Sequence, residues 1–291
     1  MTDIHGANRR YWDELASDWQ ELRDRDGLWR RCAQEPELAF EGGALTLIRT
    51  YCGDLAWKEV CVIGSGDNYA ALALAGLGAR VTSSDISQRQ LDVAQDRAGQ
   101  LGLDIDFVRA DAAGLALLPD DSFDLVCSTN GFFVWISQPA RVFAAVQRVL
   151  KPGGVYIFYD IHPFQRPWQD EVQPLKMAKS YWDTGPYTGD GGAFEFNWTL
   201  ADLVNPMADA GLILKQIMES PAKDPRFWEG HSYQPGTDSS LMDWQANPRA
   251  GLPVWLTVCA QKPVTPSFSW LPGEGGERRV SAPGEGVRAS P

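Results

Sequence analysis

Apolar residues recur at three- and four-residue spacing over residues 7–25, where Tyr11, Trp12, Leu15, Trp19 and Leu22 share one face. That period predicts an amphipathic helix, and residues 38–51 predict a second. From residue 59 the pattern shortens. Residues 59–63, 80–84, 104–109, 123–128 and 155–159 read as strands, 104–109 by alternation with Ile105 and Phe107 to one side, and 123–128 as a hydrophobic run of the kind buried on both faces. Helical stretches fall between them. One is an Ala/Leu run at 69–77 closed by Gly78. Another opens at Ser87-Gln88-Arg89-Gln90 and carries Leu91, Ala94, Ala98 and Leu101 on one face. A third starts at Pro139, with Phe143, Val146 and Leu150 inward. Ser three residues ahead of Gln is a capping signal, and Pro suits a helix's first turn. Gly102 and Lys151-Pro152-Gly153-Gly154 are the stops.

The rhythm breaks at 161–198 and at 221–251, both irregular and carrying many aromatics. Stretches this long without a period are usually functional or flexible. A helix at 199–210, bent at Pro206 and stopped by Gly211, and strands at 212–218 and 253–261 complete the pattern. Strand–helix alternation predicts an α/β fold: a doubly wound, mainly parallel, seven-stranded sheet. Little helix signal joins the final two strands, so the last is expected to run antiparallel. Beyond residue 261 Pro, Gly, Ser, Glu and Arg dominate. That tail, 262–291, is expected to be largely disordered, with Phe268 and Trp270 able to dock locally.

Ligands of such sheets sit at the carboxyl ends of the strands. Residues 64–68, Asp85, Asp111, Asn130 and His162 each follow a predicted strand and so converge on one rim. Val60-Cys61-Val62-Ile63-Gly64-Ser65-Gly66-Asp67-Asn68 reads as strand, glycine turn and helix start. Glycines let backbone approach a ligand closely, and a helix start offers free N–H groups. Asn68 stands where a third glycine is usual; Asn tolerates left-handed backbone. Asp85 lies about 20 residues downstream of the turn, the spacing at which a carboxylate accepts from ribose hydroxyls. A cap for the next helix is the plainer role for it. Asp111 can accept from an adenine amino group while the Ala112 N–H donates to the ring; it also fits as a turn-forming Asp. The turn and both carboxylates together describe an adenosine site. His162, held extended by Pro163, is the candidate general base, since imidazole titrates near neutral pH. The same position suits a histidine that ties the strand end to the loop. Asp160 could orient a base or bind an amine, His231 is a weaker base, and His5 is given no chemistry.

This order of motifs resembles the class I S-adenosylmethionine (SAM)-dependent methyltransferases, in the small-molecule, type 11 branch that includes quinone-biosynthesis enzymes. The resemblance covers residues 7–261. It rests most on Val60 to Asn68, Asp85-Ile86-Ser87, Phe107 to Ala112, Leu118-Pro119-Asp120-Asp121-Ser122-Phe123-Asp124-Leu125-Val126 and Arg148-Val149-Leu150-Lys151-Pro152-Gly153-Gly154. It implies a Rossmann-like methyltransferase fold with a helical lid over 1–58, opened by Asn8-Arg9-Arg10-Tyr11-Trp12-Asp13. A catalytic domain would follow over 59–261, with aromatic-rich cap insertions at 161–198 and 221–251. By resemblance, Gly64, Ser65, Gly66 and Asn68 would lie beside the methionine part of SAM, Asp85 would bind ribose, and Ile86 would pack on adenine. Asp111 and Ala112 would read the adenine edge, Asn130 would touch the methionine end, and Tyr11 and Trp19 would belong to the lid. Val62 departs from the pattern, which has an acidic residue there. The activity implied is methyl transfer to an O or N atom of a small molecule. A NAD-binding oxidoreductase is the alternative, disfavoured by Tyr69 where its fingerprint has glycine; a non-catalytic SAM-binding protein is the other.

Charge narrows the partners. A net charge of −12 repels phosphate backbones, so no nucleic acid is expected. Twelve tryptophans in 291 residues suggest an aromatic pocket, with Phe132, Phe133 and Trp135 flanking it. No segment has the length of a membrane span, and the opening residues lack a signal peptide's apolar core. Cys32, Cys52, Cys61, Cys127 and Cys259 have no zinc spacing. The expectation is therefore a cytoplasmic, metal-free enzyme with reduced thiols, a monomer or homodimer.

Overall fold

The computed structural model describes residues 3–66, 69–169, 174–229 and 236–264. Its core is a seven-stranded sheet of β1 (Glu59–Ile63), β2 (Arg80–Asp85), β3 (Ile105–Arg109), β4 (Phe123–Ser128), β5 (Leu150–Ile161), β8 (Ile213–Ser220) and β9 (Trp255–Gln261). A small hairpin, β6 (Tyr187–Thr188) and β7 (Phe194–Glu195), lies outside it. The strand order is β3-β2-β1-β4-β5-β9-β8. The first five strands pair in parallel, and β9 enters antiparallel between β5 and β8. Helices α1 (Ile4–Asp26), α2 (Ala44–Cys52), α3 (Tyr69–Gly76), α4 (Gln88–Leu101), α5 (Pro139–Val149) and α6 (Leu200–Asp209) surround it.

The strands' period of two sorts their side chains into two cores. Val60, Val62, Leu125, Ile157 and Cys259 pack with Leu47, Ile48, Leu72 and Leu74. Cys61, Ile63, Val126, Phe158 and Val258 pack with Phe143, Val146 and Met207 on the other face. At about 25 cal/mol per Å² of apolar area buried, these layers dominate stability. Ser87 caps α4 by accepting from the Gln90 N–H, and Gly102 closes it in left-handed backbone.

Three boundaries differ from the sequence pattern. The second helix starts at Ala44 rather than 38, because Gly42 turns left-handed (φ 57°) and the Gly43 N–H donates to Thr257 Oγ1. β5 begins at Leu150, directly after α5, and then bulges. Phe123 faces Leu150 while Leu125 faces Val155, which leaves residues 151–154 looped out with Gly153 at φ 84°. The chain also stays ordered past 261. Gly153 N–H donates to Lys262 O and Lys262 N–H to Gly154 O, closing the sheet's base. Residues 265–291, including Phe268 and Trp270, lie outside the described residues, as does His231.

Candidate active site

A cleft of about 1100 Å³ opens along the carboxyl ends of β1, β2, β4 and β5. Helix α1 lies along its rim. Gly64, Ser65, Gly66, Asp85, Ile86, Asp111, Ala112, Asn130 and Trp19 all line it. Asn68 falls outside the described residues.

Gly64 must be glycine. It sits at φ 59°, and a Cβ there would come within 2.2 Å of the Phe132 ring. The turn leans on Asp85, whose Oδ2 accepts from the Gly66 N–H and Oδ1 from the Ser87 N–H, both at 2.8 Å. Burial pushes the Asp85 carboxyl up to about 6, against the lowering effect of the Ser87, Gly66 and Ile86 N–H groups; nearby Asp13 adds to the rise. Ser65 Oγ lies 2.7 Å from Ser83 Oγ, which ties the turn to β2. Val62, the departure from the family pattern, is wholly buried in the core.

Asp111 is not a free reader of the rim. Its Oδ1 accepts from the Ala113 N–H, and its Oδ2 lies 2.7 Å from His5 Nδ1. His5 Nε2 in turn lies 2.8 Å from Ser137 Oγ. Burial works against ionisation of Asp111, but the hydrogen bonds from His5 and Ala113 and the His5 and Arg141 charges outweigh it, holding the carboxyl below the usual range. The spacing pattern gave His5 no chemistry because it started the helix at residue 7. The helix starts at Ile4, and His5, Asn8, Trp12 and Trp19 then follow one another along the cleft face. Asn8, itself buried, donates to Trp135 O and Phe194 O and accepts from the Phe194 N–H, clasping α1 to β7. Asp13 accepts from Ser87 Oγ at 2.6 Å. Tyr11 leans away instead. Its ring packs against Trp12 and Trp135 and over Gly191, behind the lining.

His162 is the main correction. Its side chain is fully buried and does not line the cleft. Nδ1 accepts from the Phe164 N–H, and Nε2 lies 2.9 Å from Glu219 Oε1 without hydrogen-bond alignment. Burial lowers its pKa against the opposing pull of Glu219. Pro163 does set the backbone, but that backbone turns the ring into the junction with β8 and ties strand to loop. Asp160 is likewise structural. Buried, it accepts from the Gly131 and Phe133 N–H groups and braces the loop after β4. Burial raises its carboxyl, while Arg166 and the Gly131, Ile161 and Phe133 N–H groups oppose the rise. Phe133 belongs to the core, whereas Phe132 and Trp135 line the cleft.

Sequence analysis also missed Arg23. It lines the cleft on α1, with its guanidinium 5.1 Å from the Trp19 ring centre and 5.0 Å from that of Tyr69, beside the glycine turn. No group of three or more metal-ligating side chains occurs among the described residues.

Residues 61–158 match the family model described as a methyltransferase domain. Over those residues the chain is similar to that family. The chain is 34% identical over 147 residues to a ubiquinone biosynthesis O-methyltransferase of Nitrosococcus oceani, covering 50% of this chain and 58% of that protein. A protein of the same description from Thiobacillus denitrificans is 34% identical over 105 residues, 36% of this chain and 44% of its own. The chain thus spans about half the length of the curated relatives it matches. Among solved structures, an S-adenosylmethionine-dependent methyltransferase from Mesorhizobium loti superposes with TM-score 0.56 at 23% identity, over 74% of this chain and 96% of its own. A SAM-dependent methyltransferase from Methanosarcina mazei gives TM-score 0.52 at 20% identity, covering 75% of this chain and 97% of its own. The chain thus shares their fold, with β9 as its antiparallel strand.

Proposed function

We propose that the protein is a SAM-dependent methyltransferase that moves a methyl group to an O or N atom of a small molecule. The observation that carries this is the Asp85 carboxylate lining the cleft, with its two oxygens braced by backbone N–H groups from the glycine turn and the α4 cap. Such a carboxylate suits the two hydroxyls of a ribose. Ile86 offers an apolar surface for the purine, and Asp111 with Ala112 offers an acceptor and a donor for its edge. The turn at Gly64–Gly66 and Asn130 suit the amino-acid end, where Arg23 supplies a cation for a carboxylate. Tyr11 and Trp19 are proposed as parts of the lid, Tyr11 by buttressing Trp12 and Trp135.

SAM supplies a methyl group on a sulfonium, already carrying its leaving group. The protein's part is alignment and exclusion of water, which is worth about 7–11 kcal/mol of barrier in well-oriented reactions. With His162 shut away, the carboxylates on the far side of the cleft are Glu41, Asp224 and Glu229. Glu41 lies 3.3 Å from Lys223, and Asp224 3.6 Å from Arg226; Glu229 accepts from the Thr237 and Asp238 N–H groups and is held below its usual range. Glu229 is thus a poor proton acceptor and the other two are paired with cations, so positioning carries the reaction. We read the protein as cytoplasmic, acting on a small molecule rather than nucleic acid, as a monomer or homodimer; the acidic net charge supports the choice of substrate.

Calorimetry tests this. SAM and S-adenosylhomocysteine are expected to bind and NAD not to. Asp85→Ala should cost at least about tenfold in affinity, the scale of unpairing a buried hydrogen-bonding group. NAD binding in place of SAM sinks the reading.

A further inference from the structure

The far half of the cleft is short of proton acceptors and rich in cations. The chain carries a net charge of −12, yet Arg166, Lys223, Arg226 and Arg249 line this half against Glu41, Asp224 and Glu229. Glu41 and Asp224 answer Lys223 and Arg226, and Glu229 answers backbone N–H groups. On the near half His5 is held between Asp111 and Ser137. A methyl acceptor that arrives protonated needs a base, and each of these candidates already has a partner. Arg166 is the cation best placed for a ligand. It lines the cleft, and 26% of its side chain stays exposed. Its guanidinium reaches Asp160 Oδ1 at 3.5 Å, an oxygen that already accepts from the Gly131 N–H at 3.1 Å and the Ile161 N–H at 2.7 Å. A guanidinium carries five N–H donors in a planar fork that matches a carboxylate, and a contact that long engages at most one of them. Gly131 lines the cleft beside Asn130. The shared Asp160 oxygen therefore sets the guanidinium beside the loop after β4, the loop assigned above to the methionine end of SAM. Phe227, Trp228 and Trp255 also line this half, with the Phe227 ring centre 5.4 Å from that of Trp255, and such walls suit a flat ring.

We propose that the methyl acceptor is the carboxylate of a planar aromatic acid, held by Arg166, and that the product is its methyl ester. The proposal rests on the methyltransferase reading of the cleft and names the acceptor atom for it. A carboxyl group is ionised at neutral pH, so it needs no base. One of its oxygens forms the new O–CH3 bond while the S–CH3 bond breaks and leaves its electron pair on sulfur. The carboxylate and sulfonium charges cancel, and no proton moves. The neutral ester loses its charge attraction to Arg166, which favours its release.

The test uses the full chain. With methyl-labelled SAM, 4-hydroxybenzoate offers a carboxylate and a phenol on one ring. Mass spectrometry is expected to find the ester, methyl 4-hydroxybenzoate. The ether, 4-methoxybenzoate, would make the carboxylate only an anchor and overturn the proposal. At saturating SAM, kcat is expected to stay flat from about pH 7 to 9, whereas methylation of a phenol, with its pKa of about 10, would rise about tenfold per unit. Binding is read separately, by ligand-observed NMR on the S-adenosylhomocysteine complex. Benzoate is expected to bind about tenfold more tightly than benzamide, the scale of one hydrogen bond to a charged group. Arg166→Gln should erase that preference while benzamide binding holds. The variant is scored only with an unchanged melting curve, and the product and pH readouts need the wild type alone. Equal binding of benzoate and benzamide, or no ester from an acid that binds, overturns the proposal. If S-adenosylhomocysteine itself fails to bind, the underlying reading falls and takes this one with it. If it binds and no ester forms, this one falls alone.

Discussion

Burial raises the Asp85 carboxyl from its ordinary 3.8 to about 6, and two consequences of opposite sign follow. Ribose hydroxyls donate best to the ionised form. Affinity for S-adenosylhomocysteine is therefore expected to be full above pH 6 and to fall by up to about tenfold per unit below it. Calorimetry across that range checks this, with Asp85→Asn expected to flatten the profile. For the fold alone the sign reverses. The folded pKa lies above the unfolded one, so ionised Asp85 opposes folding above about pH 6, and that burden lifts as pH drops through this value. Asp85→Asn lifts that burden but takes the acceptor from either the Gly66 or the Ser87 N–H, so it should weaken ligand binding and remove the dependence of the melting temperature on pH between about 4 and 6. His162 gives a contrasting forecast. With both ring nitrogens turned to Phe164 and Glu219, His162→Ala should lower the urea midpoint and leave kcat within about twofold, since a lost buried contact costs about 1–3 kcal/mol. A large drop in kcat at unchanged stability would restore it to the chemistry. Sequence put both residues at strand ends, which was right. Which way a ring turns there depends on β8, more than fifty residues later in the chain, and local pattern carries no trace of that.

At the scale of elements, α1 is held by side chains rather than by a broad apolar stripe. Asn8 satisfies three backbone groups at once, and Asp24 pairs with the buried Arg97 of α4. Asn8→Ala leaves those backbone groups unpaired, at about 1–3 kcal/mol, and is expected to raise amide hydrogen exchange in α1 and β7 while α4 and β4 stay protected. Uniform exchange across all four would mean that the clasp is not local. Strands β1 and β4 were legible from apolar runs because each is buried on both faces, and β3 from the alternation of Ile105 and Phe107 with polar neighbours. Helix α2 and the start of β5 were not. Gly42 turns left-handed and the Gly43 N–H then donates to Thr257, over two hundred residues away in sequence, and the bulge after Leu150 is pinned by Lys262. Partners that distant leave no period to read.

Across the molecule, the mainly parallel sheet and its antiparallel last strand follow from alternation and the connection rules, so the fold class was the most legible part, while the strand order came from the structure. The cleft was legible only along the half built from the glycine turn, Asp85 and Asp111, which sit at fixed offsets after the strands. Its far half is assembled from the irregular stretches around 161–169 and 221–229 with β9, and no spacing in the chain announces it. The wide cleft predicts linkage between ligand and global stability. At a hundredfold excess over Kd, S-adenosylhomocysteine should stabilise the fold by about 2.7 kcal/mol, seen as a raised melting temperature that NAD does not reproduce.

His5 bridges Asp111 and Ser137 at 2.7 and 2.8 Å, so the oxygen best placed to greet a purine is already engaged by the roof. A newcomer must share that oxygen or evict the imidazole. If eviction is the route, docking and unlatching become a single event, and His5→Ala is expected to speed entry.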